Sequence, residues 1–297
     1  MKETLREFCK SIGIDAMGIA PIGPYVELQQ ILKERISKGR FTEFEEQELQ
    51  LRINPQLTMD NVQSIIVCLF PYYPGEKAEA NVAKYTYSVD YHRIIRRKLE
   101  EVGSFLGKKI SGFEYKAYVD NGPLADRYLA YMAGLGFYGL NSHIITDAYG
   151  SYVFIGYMLT NYPFETDKPL KRTCMLCGEC KKACPGSSIL GDSGIDPRTC
   201  RSYLTQKKGE LTRSEIDVIK KTNLVFGCDS CQEVCPHNAG IALSNIAEFQ
   251  EDRMEELSYD ELVGMSNKEF MRRYGNRAFS WRGRKLLIRN FEYLRNS

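Results

Sequence analysis

Residues 174–185 read Cys174-Met-Leu-Cys177-Gly-Glu-Cys180-Lys-Lys-Ala-Cys184-Pro185, and residues 228–236 read Cys228-Asp-Ser-Cys231-Gln-Glu-Val-Cys235-Pro236, with Cys200 alone between them. The first run follows the bacterial pattern C-x2-C-x2-C-x3-C-P, in which three close cysteines wrap one [4Fe–4S] cube and the fourth ligates the neighbouring cube. Cys174, Cys177 and Cys180 are therefore assigned to cluster one, and Cys184 crosses to cluster two. Read backwards from its Cys-Pro, the second run gives Cys235 the crossing role that closes cluster one. Cys231 and Cys228 take the third and second positions of cluster two, and the missing first position falls to Cys200. Eight thiolates then fill two cubes with none left over. Structural zinc favours two C-x2-C knuckles separated by a longer loop, which this spacing does not match. Nothing in the sequence suggests the secretion that disulfides accompany. The remaining two of ten cysteines, Cys9 and Cys68, lie in apolar stretches and read as buried small hydrophobes.

A chain of 297 residues with 43% hydrophobic content supports a real core, in one large domain or two to three small ones. The formal net charge of +2 excludes a global polycation. The N-terminal stretch MKETLREFCKSIGIDAMGIA is charged and lacks the apolar run of a signal peptide. The longest apolar run, residues 65–70, is too short to span a bilayer. A cytoplasmic protein with no membrane partner is expected. Charge is unevenly placed: residues 271–297 hold eight Arg or Lys against one Glu, and His92, Arg93, Arg96, Arg97 and Lys98 cluster. Such patches are either a footprint for nucleic-acid phosphates or ordinary solvated helix faces, and charge runs on exposed helices favour the second.

Hydrophobic periodicity predicts helices over 3–12, 25–38, 90–106 and 124–135, and strands over 16–20, 65–69, 115–119, 142–146 and 152–159. Residues 168–240 read as loop-rich with short helices, and the remainder as helical. Strands mixed with helices over 1–165 indicate an α/β or α+β domain. Gly134-Leu-Gly136-Phe-Tyr-Gly139 matches G-x-G-x-x-G, but it follows a helix and precedes a strand, the reverse of a dinucleotide fingerprint. Its glycines instead suit a helix cap and a close backbone approach. The three histidines, His92, His143 and His237, form no evident triad or metal site. Asp120 stands where the 115–119 strand gives way to the turn Asn121-Gly-Pro123. It reads as a turn former or as an acid whose pKa is lifted by an apolar site. Asp126 reads as a helix-face residue paired with Arg127 or Arg93.

Taken together, these features resemble the epoxyqueuosine reductases over nearly the whole chain. The matching pieces are Lys84-Tyr85 with Asp90-Tyr91-His92, Tyr118-Val119-Asp120-Asn121-Gly122-Pro123, Ala133-Gly134-Leu135-Gly136-Phe137, Gly150-Ser151-Tyr152, both cysteine runs, Cys200-Arg-Ser-Tyr203, and residues 284–290. The resemblance implies an α+β chain. It would comprise a nitroreductase-like cobalamin-binding catalytic domain over 1–165, a ferredoxin-like double-cluster domain over 166–243, and a short C-terminal helical segment over 244–297. The related reductive dehalogenases use the same pairing. It further implies reduction of epoxyqueuosine in tRNA to queuosine, two [4Fe–4S] clusters, and cobalamin bound base-off with no His on cobalt. Asp120 would be the proton donor, with cofactor contacts at Tyr91, His92, Gly134, Gly136 and Ser142. The expected partners are the tRNA anticodon arm, held through phosphates, and an external low-potential electron donor; the chain is expected to act as a monomer. The sequence departs from the family at Ser88-Val89, Tyr131-Met132, Gly139-Leu140-Asn141 and Ile155-Gly156-Tyr157, all beside the expected pocket.

Overall fold

A computed structural model describes residues 1–76, 79–192 and 194–295. They form two compact units that are not consecutive stretches of chain. The first comprises Met1–Pro71, His92–Gly139 and His143–Leu176; the second comprises Tyr72–Tyr91, Leu140–Ser142 and Cys177–Ser297. The units thus cut across divisions drawn along the sequence at 165 and 243. Among the described residues, no helix is long and apolar enough to cross a membrane.

The first unit contains α1 (Lys2–Ser11), β1 (Ala16–Ala20), α2 (Val26–Ser37), α3 (Leu49–Ile53), β2 (Ser64–Pro71), α4 (Tyr91–Lys109), β3 (Tyr115–Val119), α5 (Asp126–Met132), β4 (Phe137–Tyr138), β5 (Ile144–Ile145) and β6 (Val153–Thr160), with Tyr91 itself counted in the second. One antiparallel sheet runs β1-β2-β6-β3, and β4 pairs with β5 in a separate hairpin. Every residue of β2, Ser-Ile-Ile-Val-Cys-Leu-Phe-Pro, is buried, because helices cover both faces of the sheet. Alternate side chains sort onto those faces. Ile65, Val67, Leu69 and Tyr157 join Leu129 and Ala130 of α5, and Ala133 just beyond it, in the main core. On the other face α4 lies so close that a Cβ on Gly156 would stand 2.8 Å from Ile95 and 3.1 Å from Leu99. Cys9 and Cys68 are fully buried together in this layer, as their apolar contexts predict.

Helix α5 is shorter than the predicted 124–135. Gly134, at φ 67, stops it with a Schellman cap, in which Leu135 N–H donates to Ala130 O and Gly134 N–H to Tyr131 O, both at 3.0 Å. The predicted strand over 142–146 shrinks to β5, since Ser142 takes φ 66, outside strand geometry. The five-residue α3 carries too little periodicity to be read from sequence.

The second unit contains α6 (Glu179–Ala183), α7 (Arg201–Leu204), α8 (Arg213–Ile219), α9 (Ser230–Glu233), α10 (Tyr259–Gly264), α11 (Asn267–Tyr274) and α12 (Arg284–Arg295). Thr212 and Glu215 form a capping box on α8, and Ser258 and Ser266 cap α10 and α11. The early segment is woven in by hydrogen bonds: Ala83 N–H donates to Phe226 O (2.9 Å), Val225 N–H to Asn81 O (2.6 Å), and Lys84 N–H to the Asp229 carboxylate (2.7 Å). Val82, Tyr87, Phe226, Phe270, Phe279 and Leu287 form the core beneath. Residues beyond 243 therefore complete this core.

The C-terminal basic run is largely structural. Arg277 is 4% exposed and donates to Tyr87 O and Asp252 O; Arg282, Arg284 and Arg289 also donate to backbone carbonyls. Arg272, Arg273 and Arg295 face Glu269, Glu261 and Asp260. In the other cluster, Lys98 is buried with its ammonium on Ile12 O at 2.6 Å.

Candidate functional site

Strand β3 ends at Val119, and the chain reverses at once. Asn121 N–H donates to Val119 O at 2.6 Å across Asp120, whose φ is 59. A three-residue turn with a non-glycine centre at positive φ is rare and strained, and it thrusts the Asp120 side chain outward, 60% exposed. The apolar burial anticipated for this carboxyl is therefore absent from the protein itself. His92, in the first turn of α4, stands with Nε2 3.5 Å from Asp120 Oδ2 and 3.3 Å from Asn121 Nδ2. The imidazole thus turns this nitrogen to the Asp120 turn.

The sealed carboxyl is that of Asp126, in the first turn of α5. The residue is half-buried as a whole, yet its Oδ1 is out of contact with solvent and has no hydrogen-bond partner. Burial, reinforced by the Asp120 charge, holds its pKa well above the ordinary carboxylate range. The expected Arg127 contributes only an opposing charge, and Arg52 a lesser one. Tyr157 closes the floor below. It is fully buried in β6, stacks on Tyr118 at 5.3 Å, and accepts the Leu124 N–H at 3.2 Å. Burial, then the Asp126 charge, pushes the Tyr157 hydroxyl pKa upward, so it stays protonated. Sequence reasoning missed Asp126 as a buried acid, because the signal lies in helix packing.

Gly134 and Gly136 each make room for protein backbone. A Cβ on Gly134 would lie 2.5 Å from Lys168 O, and one on Gly136 would lie 2.6 Å from Ile145 O. Tyr91 opens α4, and Ser142 belongs to the three-residue excursion 140–142. His143 is held neutral, its pKa lowered to about 3 by burial and then by the Arg127 charge.

Among the cysteines, Cys174 counts with the first unit and Cys177 onward with the second. Helices α6 and α9 pack together and set the two runs side by side. Cys231 feels the charges of Cys200, Cys228 and Cys184, and Cys200 those of Cys228 and Cys184. These four thiols therefore share one neighbourhood. Burial lifts Cys200, Cys228 and Cys231 above the usual thiol range. Polar groups already face the sulfurs: Ser188 N–H donates to Cys184 Sγ at 3.2 Å, Ser202 and Tyr203 amides to Cys200, and Ser230 lies 3.4 Å from Cys228. Hydrogen bonds to sulfur are one of the means by which proteins set cluster potential. Among the described residues, no three His, Cys, Asp or Glu side chains converge on one metal-ion position; a cube asks for none, because each thiolate binds its own iron.

Arg201, beside Cys200, is 1% exposed. Its guanidinium donates to Ile219 O (2.9 and 3.1 Å), Gly227 O (2.8 Å), Thr222 O (3.2 Å) and Leu224 O. Burial draws its pKa down to about 10. This one side chain folds residues 219–227 into the loop that delivers Cys228.

Two family models match the chain: epoxyqueuosine reductase QueG, DUF1730, over residues 52–121, and a 4Fe-4S double cluster binding domain over 173–238. The epoxyqueuosine reductase of Bacillus cereus is 36% identical, across 98% of this chain and 78% of the relative. A crystal structure of epoxyqueuosine reductase with an epoxyqueuosine-modified tRNA-Tyr stem loop superposes with TM-score 0.90 at 33% identity, covering 99% of this chain and 80% of that one. A catabolic reductive dehalogenase in complex with 3-bromo-4-hydroxybenzoic acid, 15% identical with TM-score 0.50 over 97% of this chain and 37% of its own, shares the fold.

Proposed function

Since the chain belongs to the epoxyqueuosine reductase family, we propose that it reduces epoxyqueuosine in tRNA to queuosine, with Asp120 as the acid that protonates the departing oxygen. The observation that carries this reading is the strained, outward Asp120 turn beside His92. Strain of this kind persists where the surroundings over-determine it, and it clusters at reacting centres.

Removing an epoxide oxygen as water and closing a double bond consumes two electrons and two protons. Two [4Fe–4S] clusters would supply these electrons singly from an external low-potential donor, and cobalamin, when bound, would supply low-valent cobalt as the reductant of the epoxide. Cys174, Cys177, Cys180 and Cys235 would hold one cube, and Cys184, Cys200, Cys228 and Cys231 the other. The shared neighbourhood of the second quartet and the amides facing its sulfurs support that division. The corrinoid is proposed to bind base-off, and His92, whose Nε2 is directed at the Asp120 turn, would line its pocket. Tyr91, His92, Gly134, Gly136 and Ser142 remain the proposed cofactor contacts. The helix-clad antiparallel sheet supports a nitroreductase-like reading of the first unit.

Asp120 does the proton work. Exposed in the protein, it becomes an effective acid when bound corrinoid and RNA exclude water around it, which raises the pKa of a carboxyl. The substrate enters as the anticodon arm of tRNA, and the protein acts as a cytoplasmic monomer. The test is turnover by reconstituted protein with cobalamin, a low-potential reductant and an epoxyqueuosine-bearing stem loop. Queuosine should form, and Asp120→Asn should lower the rate by about 100-fold or more with cluster content unchanged. Absence of conversion by fully loaded protein would refute the activity, and an unchanged rate in Asp120→Asn would refute the acid.

A further inference from the structure

The Tyr157 hydroxyl meets the Asp120 turn from beneath. Residues 120–124 leave β3 with their amides outside the sheet ladder, and the Leu124 N–H is taken up by the Tyr157 hydroxyl oxygen at 3.2 Å. Tyr157 cannot yield: it is paired in register with Val67 on one side and Tyr118 on the other, at the centre of the sheet. Its ring is stacked on Tyr118 and is fully buried. The turn lies directly on the hydroxyl. A Cβ placed on Gly122 would run into Tyr157 Oη and come within 2.8 Å of Tyr118 Cβ, so only glycine lets the chain rest there. Behind it, the sealed Oδ1 of Asp126 marks the same floor as dry.

We propose that Tyr157 is a positioning residue for proton delivery, its buried hydroxyl acting as the strut that holds the Asp120 turn in its outward, strained form. This rests on the reading of Asp120 as the acid. The argument is one of restraint. A positive-φ aspartate relaxes toward ordinary geometry unless neighbouring contacts oppose it. The Val119–Asn121 bond and the His92 pair also restrain the turn, and the Leu124–Tyr157 bond ties it to the sheet core.

The experiment is Tyr157→Phe, which keeps the ring and removes the oxygen. Losing one hydrogen bond shifts the turn away from its held form by about 3–10-fold. We expect kcat on the epoxyqueuosine stem loop to fall by about that factor, with KM, iron content and melting temperature near the parent's. Amide exchange over 119–126 should quicken by a similar factor while exchange in β2 and β6 is unchanged. Parental kcat together with parental exchange would overturn the proposal, as would a rate loss that tracks loss of iron or of fold. The exchange measurement needs no substrate. It therefore judges the strut even if the protein proves inactive on epoxyqueuosine, an outcome that would count against the activity alone. Gly122→Ala gives a second, independent arm: it should displace the turn and cost kcat at least as much as Tyr157→Phe, and a neutral effect would contradict the contact.

Discussion

Replacing Arg201 by Met should cost the protein its second cluster and a large part of its stability. The guanidinium is sealed and saturates four backbone carbonyls through five hydrogen bonds, to Ile219, Thr222, Leu224 and Gly227. Bonds from a charged donor contribute about 1.5–3 kcal/mol each, and the burial of the cation costs several kcal/mol in return. Met fills similar volume and removes that cost, but it leaves four inward-facing carbonyls without a donor. The balance is a loss of about 3–5 kcal/mol, against a total stability on the order of 5–15 kcal/mol for a protein domain. Because the stapled loop carries Cys228, the loss should appear first as iron. Anaerobic reconstitution followed by iron and sulfide analysis should find close to one cube per chain in Arg201→Met, against two in the parent. Arg201→Lys, which keeps a charge but replaces the guanidinium fork by a single ammonium, should fall between. A variant that retains both cubes and unfolds at the parent's denaturant midpoint would refute the staple.

Further outcomes follow from single sites. Cys200→Ser should lose one cube and keep the other, by iron analysis and electron paramagnetic resonance; retention of both would show that the distant cysteine is not a ligand. His143 has a folded pKa near 3 against an unfolded value near 6.5. The unfolded chain therefore binds the extra proton, and stability falls as pH drops below about 6.5. Between pH 7.5 and 5.5 this group should cost about 1.4 kcal/mol in urea titrations, a slope that His143→Gln should lack. Gly136→Ala forces a Cβ against Ile144 and Ile145 O, each 2.6 Å away, and should cost about 1–3 kcal/mol in thermal or chemical melts.

Much of the fold is legible in the sequence. A double-cluster domain is a local signal, carried by the cysteine spacing, and strongly periodic or wholly apolar segments such as α4 and β2 declare themselves. Asp120 stands out as a candidate because a strand-to-turn boundary is also a local signal. What stayed hidden depends on contacts distant along the chain. No pattern in residues 72–91 announces that they will pair with residues 225–229. Nothing in Asp-Arg-Tyr-Leu says that the carboxyl opening α5 will be sealed while Asp120 lies open. The basic C-terminal run read as surface, yet four of its arginines reach inward to carbonyls that only the folded chain brings near.

The bond from Lys84 to Asp229 joins residues 145 apart in sequence. On the ribosome the early partner emerges first and waits about 10–30 s for the later one, at common elongation rates. During that interval a hydrophobic strip containing Val82 and Tyr87 has no core to enter. Asn290, which bonds Thr205 O and Val225 O, is made later still. Maturation of the iron-binding unit therefore waits for the segment that carries Asn290.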